Sequence, residues 1–143
     1  MNFDPAQFAV TLLASMSDAV VYSDADGRIR YWNNGAERMF GFGAAEAVGQ
    51  SLDLIIPVAL RGRHWDGYNK TMRTGATRYG AGDLLAVPAI RKDGSRISVE
   101  FTIVPFHDEA GGMMGIAAIM RDVTKRFEEM KVLRKRAAGP AGP

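Results

Sequence analysis

The chemistry-bearing side chains of this chain gather in one stretch, LRGRHWDGYNKTMRTG, residues Leu60 to Gly75. It holds His64, one of only two histidines, with Trp65, one of only two tryptophans, and Tyr68. Steps of three and four put Trp65, Tyr68 and Met72 on one helical stripe with His64 beside it, while Arg61, Arg63, Lys70 and Arg73 point largely elsewhere. An imidazole can ligate a metal and an indole can stack on a planar organic ligand, so this helix either packs or lines a pocket. The other reactive groups form no constellation. His64 and His107 have no H-x-x-H or carboxylate pattern around them, so no metal site is expected. Asp53, Asp66 and Asp83 are scattered and lack an acid/base partner, so no catalytic residue is assigned and no enzyme is expected. Gly80-Ala81-Gly82 is not a phosphate loop, because no Lys-Ser/Thr follows it and a strand rather than a helix comes next.

The absence of cysteine rules out a disulfide framework, a thiolate metal site, a cysteine nucleophile and flavin–cysteinyl photochemistry. A length of 143 residues, 47% of them hydrophobic and 24% charged, suits one domain that buries its own core. No apolar run approaches the ~20 residues of a membrane span, and Met1 to Met16 has no basic start for a signal peptide, so the expected location is the cytoplasm. The net charge of +2 is uneven, because Arg121 to Arg136 carries seven Lys/Arg against three Asp/Glu. That basic run reads as a solvated helix face. Only Phe127 is interleaved with it for stacking, so neither nucleic acid nor membrane is an expected partner.

The elements around the stretch follow from local rules. Asp4-Pro5-Ala6-Gln7 starts a helix, with Asp as cap and Pro at the first position. That helix, running to about Met16, is expected to cap the core, to dimerise, or both. Ala19–Tyr22 and Arg28–Trp32 make a hairpin about the turn at Asp24–Gly27. Asn33-Asn34 caps a helix through Phe40, and Ala44–Gly49 is a helical fragment. Asp83–Arg91 is a strand in which Pro88 implies an edge or a bulge. Arg96–Val104 alternates, with Ile97, Val99, Phe101 and Ile103 on one face. Gly115–Met120 is apolar on both faces, so the N-terminal helix, a second subunit, or both should cover its outer side. From Thr124 a helix continues the seam of Val123, Phe127, Met130 and Leu133, suited to the start of a coiled coil. The expected organisation is a cap or dimerisation helix at 1–17, a core at 18–124, a signalling helix at 125–136 and a disordered tail at 137–143. The fold class is α+β, with short helices on one face of an antiparallel sheet.

Over roughly Ser17 to Arg126 the chain resembles the PAS (Per-Arnt-Sim) sensor domains of the S-box type. The matching residues are Asp24…Asp26-Gly27-Arg28-Ile29…Trp32-Asn33, then Ala36…Phe40-Gly41-Phe42…Glu46…Gly49. They continue with Arg91-Lys92-Asp93-Gly94-Ser95 and its strand, and with Gly115…Arg121-Asp122-Val123-Thr124. The resemblance implies a five-stranded sheet of order 2-1-5-4-3 cradling a small-molecule pocket. The wall of that pocket would comprise Trp65, Tyr68, Met72, Leu85, Val87 and Phe101, completed by Ile103, Ile116, Ala118 and Met120. LRGRHWDGY and RKDGS look most like the haem-binding oxygen sensors of nitrogen-fixation kinases. In register with Asp93-Gly94, the ligand histidine of that group falls on Trp65 and its distal arginine on about Leu85. Trp offers iron no lone pair. His64 would hold haem if the helix were rotated or a one-residue bulge intervened, and Trp32 and Trp65 would flank a flavin such as FAD if that were the cofactor. The expectation is a sensory and dimerisation module that requires no particular cofactor. It would be a homodimer relaying to an effector such as a kinase or regulator in a partner or a removed continuation. The alternatives are a haem or flavin gas or redox sensor, and a ligand-free dimerisation domain.

Overall fold

The computed structural model describes residues 2–76 and 84–139. Helix α1 (Pro5–Ser15) starts as its sequence requires, with the Asp4 carboxylate accepting from the Ala6 amide at 3.1 Å. Strands β1 (Ala19–Asp24) and β2 (Ile29–Trp32) form the first hairpin. Helices α2 (Asn34–Phe40) and α3 (Ala44–Ala47) and two 3-10 turns (Leu52–Ile55 and Val58–Leu60) lead into α4 (Arg61–Thr74). Strands β3 (Leu85–Ile90), β4 (Arg96–His107) and β5 (Met113–Asp122) precede α5 (Thr124–Ala138).

The sheet is antiparallel in the order β2-β1-β5-β4-β3, as the resemblance implies. Pro88 lies on the edge strand β3, where it has no outer neighbour to which an amide would donate. Register sorts the side chains into rows across the inner face. Leu85, Phe101, Met120 and Ala19 are cross-strand neighbours in one row, and Ile103, Ala118 and Val21 in the next. The helices lie over these rows, and the core of Phe40, Ile29 and Val99 is sealed between helix and sheet. Trp32 belongs to that core, with its ring 5.5 Å from Phe40 and its Nε1–H donating to the Phe42 carbonyl at 3.0 Å.

Some boundaries move. β4 runs past Val104 to His107, and β5 is longer at both ends than Gly115–Met120. α5 extends through Ala138 rather than ending at Arg136, so Ala137 and Ala138 leave the expected tail. Asp83 and the Gly80–Gly82 run lie outside the described residues, as do residues 140–143. The expectation that the N-terminal helix covers the outer side of β5 fails within one chain. No residue of α1 is buried, and its carbonyl ends are tied instead to α2. The outer side of β5 is shielded by Tyr22 and Phe106, edge to face at 5.2 Å. Tyr22 lies so close over Gly115 that a Cβ there would sit 2.5 Å from its hydroxyl. Among the described residues no helix is long and apolar enough to cross a membrane.

Candidate ligand-binding site

Antiparallel pairing puts the β1–β2 and β4–β5 turns at the same end of the sheet, and α4 is braced against both. Tyr68 makes the first contact, donating its hydroxyl hydrogen to the Asp24 carbonyl at 2.6 Å while lying 2.9 Å from Ser23 Oγ. Burial pushes the phenol up to about 12 against the opposing bond from Ser23, with Asp24 among the lesser contributors, so Tyr68 stays a donor. Asp24 also accepts from the amides of Asp26 and Arg28 and from Arg30, which locks the turn under α4. Burial would raise the Asp24 carboxyl, but those bonds prevail and hold it below its usual value. At the far end of α4, His107 Nε2 lies 3.3 Å from the Gly75 carbonyl, and the imidazole itself is exposed.

Trp65 is not in the pocket wall. Its ring presses on the β1–β2 turn at Gly27, where a Cβ would lie 2.2 Å from Cη2, and Gly27 also holds a φ of 78°. Its Nε1–H donates to Asp53 Oδ1 at 2.7 Å, and Arg61 adds an ion pair to the same oxygen at 3.8 Å. Asp53, which has no chemical partner in the sequence pattern, is thus the anchor of an indole. His64, about 100° away round the helix, is half-buried. Its ring lies 4.6 Å from that of Trp65 and 5.6 Å from that of Tyr68. Its Nδ1 is buried and has no hydrogen-bond partner among the described residues. Burial holds its pKa below the ordinary value, against an opposing pull from Asp53.

The remaining wall residues separate by exposure. Met120 and Ile116 are core, and Tyr68 is buried with them. Met72, Leu85, Phe101, Ile103 and Ala118 are half-buried, whereas Val87 is 42% exposed although it pairs with the fully buried Val99. Leu85, Val87, Phe101, Ile103 and Ala118 share the inner face by register, and none of them carries a polar side chain. Such a surface favours an apolar ligand and gives an anion no cation to meet. Among the described residues no cluster of three His, Cys, Asp or Glu side chains could hold a metal ion. The sequence pattern missed Ser23, Asp24, Gly27 and Asp53, all of which orient α4. The only signal for them was the turn chemistry of Asp24-Ala25-Asp26-Gly27.

Comparison with known proteins adds three relatives and a family. Residues 13–128 match a family described as the PAS fold. The chain is 30% identical over 125 residues to the sensor protein FixL of Bradyrhizobium diazoefficiens, covering 87% of this chain and 24% of that one. It is 27% identical over 128 residues to the oxygen sensor protein DosP of Escherichia coli, covering 90% of this chain and 16% of that one. The chain therefore spans less than a quarter of either relative. The crystal structure of a PAS domain from Colwellia psychrerythraea superimposes with a TM-score of 0.72 at 23% identity, covering 85% of this chain and 99% of that one.

Proposed function

The chain belongs to the PAS fold family, and we propose that it is the sensory module of a signal-transduction protein. In this reading a small, largely apolar ligand binds between α4 and the inner face of β3, β4 and β5. α5 then relays its presence to an effector such as a kinase or regulator, and the module works as a homodimer without a catalytic step of its own. One observation carries the ligand reading: the apolar inner-face rows are left part-open, with Val87 at 42% exposure. A ligand that prefers one packing of β5 shifts the angle at which α5 leaves it, because α5 starts two residues after β5 ends.

Haem does not fit these residues. A metal-bound imidazole normally donates its second N–H to an acceptor, and His64 Nδ1 has none among the described residues. Trp65, on which the resemblance places the ligand histidine of the haem-binding oxygen sensors, is held by Asp53 and has no lone pair to offer. A flavin sandwiched by two tryptophans fares no better, since Trp32 is sealed in the core and Trp65 lies on a turn.

Absorption spectroscopy and native mass spectrometry of the purified protein test the reading. The expected protein is colourless, and the neutral dye Nile red binds it in a manner that Ala118→Phe abolishes. A Soret band lost in His64→Ala would overturn the haem argument, and Nile red binding unaffected by Ala118→Phe would place the ligand elsewhere.

A further inference from the structure

One ion pair joins the segment that follows α1 to the strand that leads into α5. Arg121, near the end of β5, lays its guanidinium side-on against Asp18, with Nη2 3.2 Å from Oδ2 and Nε 3.4 Å from Oδ1. Asp18 is rigidly placed. Its carbonyl accepts from Asn33 Nδ2 at 3.0 Å, and that same amide group holds the Leu13 carbonyl in the last turn of α1 at 2.8 Å. Gly35 presses on the same segment, where a Cβ would lie 2.2 Å from the Asp18 carbonyl oxygen. On the other side, Arg121 directly precedes Asp122, whose carboxylate accepts from the Thr124 amide at 2.9 Å and so organises the start of α5. Val123 and Thr124 are bonded to Ser98 of β4 at 2.9 and 3.0 Å.

Arg121 also has a second carboxylate within reach. Glu100 is its cross-strand partner in β4, and directly opposed side chains stand about 5 Å apart at Cβ. Glu100 makes no hydrogen bond to any other described side chain and contributes to the electrostatic stabilisation of the Arg121 cation. The Arg121 side chain is 70% exposed, so moving it from one carboxylate to the other breaks no core contact.

We propose that Arg121 is a two-position latch. On Asp18 it ties the strand leading into α5 to the segment that follows α1, and on Glu100 it lies within the sheet and releases that tie. The proposal rests on the reading of α5 as the output element. It names the regulation of that output: whatever shifts β5 also decides which carboxylate Arg121 faces, and the packing of α1 and the angle of α5 change together. An exposed ion pair of this kind is weak and screened by salt, which suits an element that must exchange rather than lock.

The absence of cysteine makes the test direct. Spin labels at Gln7→Cys in α1 and Lys131→Cys in α5, diluted with unlabelled chain, report the distance between the two helices. Asp18→Asn and Arg121→Gln should each broaden and shift the distribution by the same amount, and the double variant should do no more. Glu100→Gln should narrow it, because Arg121 then has only Asp18. Additive effects of the two latch substitutions, or no response to Glu100→Gln, would overturn the latch. Ala118→Phe, which fills the inner face, separates this from the output reading. If it leaves the distance unchanged while the latch variants behave as expected, the latch stands and the proposed signal route through β5 fails.

Discussion

His64 shows how one buried ring makes stability depend on acidity. Burial disfavours its charged form, the Asp53 carboxylate pulls the other way and loses, and the folded pKa lies below the ordinary value of 6.5. Among the described residues the groups that face it include Asp53, already engaged by Trp65 and Arg61, and the rings of Trp65 and Tyr68. None gives a protonated Nδ1 a ready acceptor. Because the unfolded chain takes up the proton more readily, stability contributed by neutral His64 is complete above 6.5 and is lost as the pH falls below it. Urea midpoints followed by Trp65 fluorescence in a Trp32→Phe background, from about pH 7.5 down to about pH 5, should therefore decline in the parent chain. His64→Gln should flatten that decline. An equal slope in both proteins would show that His64 is not the group responsible.

Elements are joined in this fold by a few side chains that no periodicity announces. Asn33 is the clearest. Its Oδ1 accepts from the Val20 amide of β1 at 2.8 Å and from the Ala36 amide of α2 at 2.9 Å, while its Nδ2 holds α1 and the segment before β1. Asn33→Ala loses the cap of α2 and leaves the Val20 amide buried and unpaired, a cost of about 3 kcal/mol. Asn33→Asp keeps both acceptor roles but turns a carboxylate oxygen on the Leu13 and Asp18 carbonyls in a buried position, so it should lose at least as much; denaturant unfolding ranks the two, and a clearly smaller loss for Asn33→Asp would show that the donor side contributes little. The sequence made Asn33 legible as a cap and not as a junction, because its other partners lie 13 to 20 residues away. The same division holds for α4. Steps of three and four place Trp65, Tyr68 and Met72 on one stripe, and alternation in β4 places Ile97, Val99, Phe101 and Ile103 on one face. Which neighbour each stripe residue meets is decided elsewhere in the chain. Trp65 is drawn to the turn because Gly27 leaves room for a ring and Asp53 supplies an acceptor, and neither fact is visible in the helix itself.

At the scale of the whole molecule, the apolar residues that stay outside are as telling as those within. α1 has 11 residues and buries none of them, although Phe8 and Leu12 lie on one side of it beside an open groove completed by Thr11, Ser15 and Met16. An isolated helix of that length is marginal in water. The outer sheet face leaves Val104, Phe106 and Met114 exposed, and α5 leaves Phe127, Met130 and Leu133 exposed along its length. Three separate elements thus present exposed apolar side chains, the kind of surface that marks a contact with another chain when it is contiguous. A second copy would satisfy all three at once, since a two-fold axis brings the same patch from each chain together. In multi-angle light scattering at micromolar concentration the full chain is therefore expected to be a dimer. Phe8→Glu with Leu12→Glu should raise the dissociation constant by about 100-fold or more, because two charges per chain would be buried without partners. Removal of residues 1–17 should act in the same direction, with far-UV circular dichroism checking that the sheet persists. If both altered proteins remain dimers as tight as the parent, α1 is not the contact, and the outer sheet face and α5 are left to hold the two chains together.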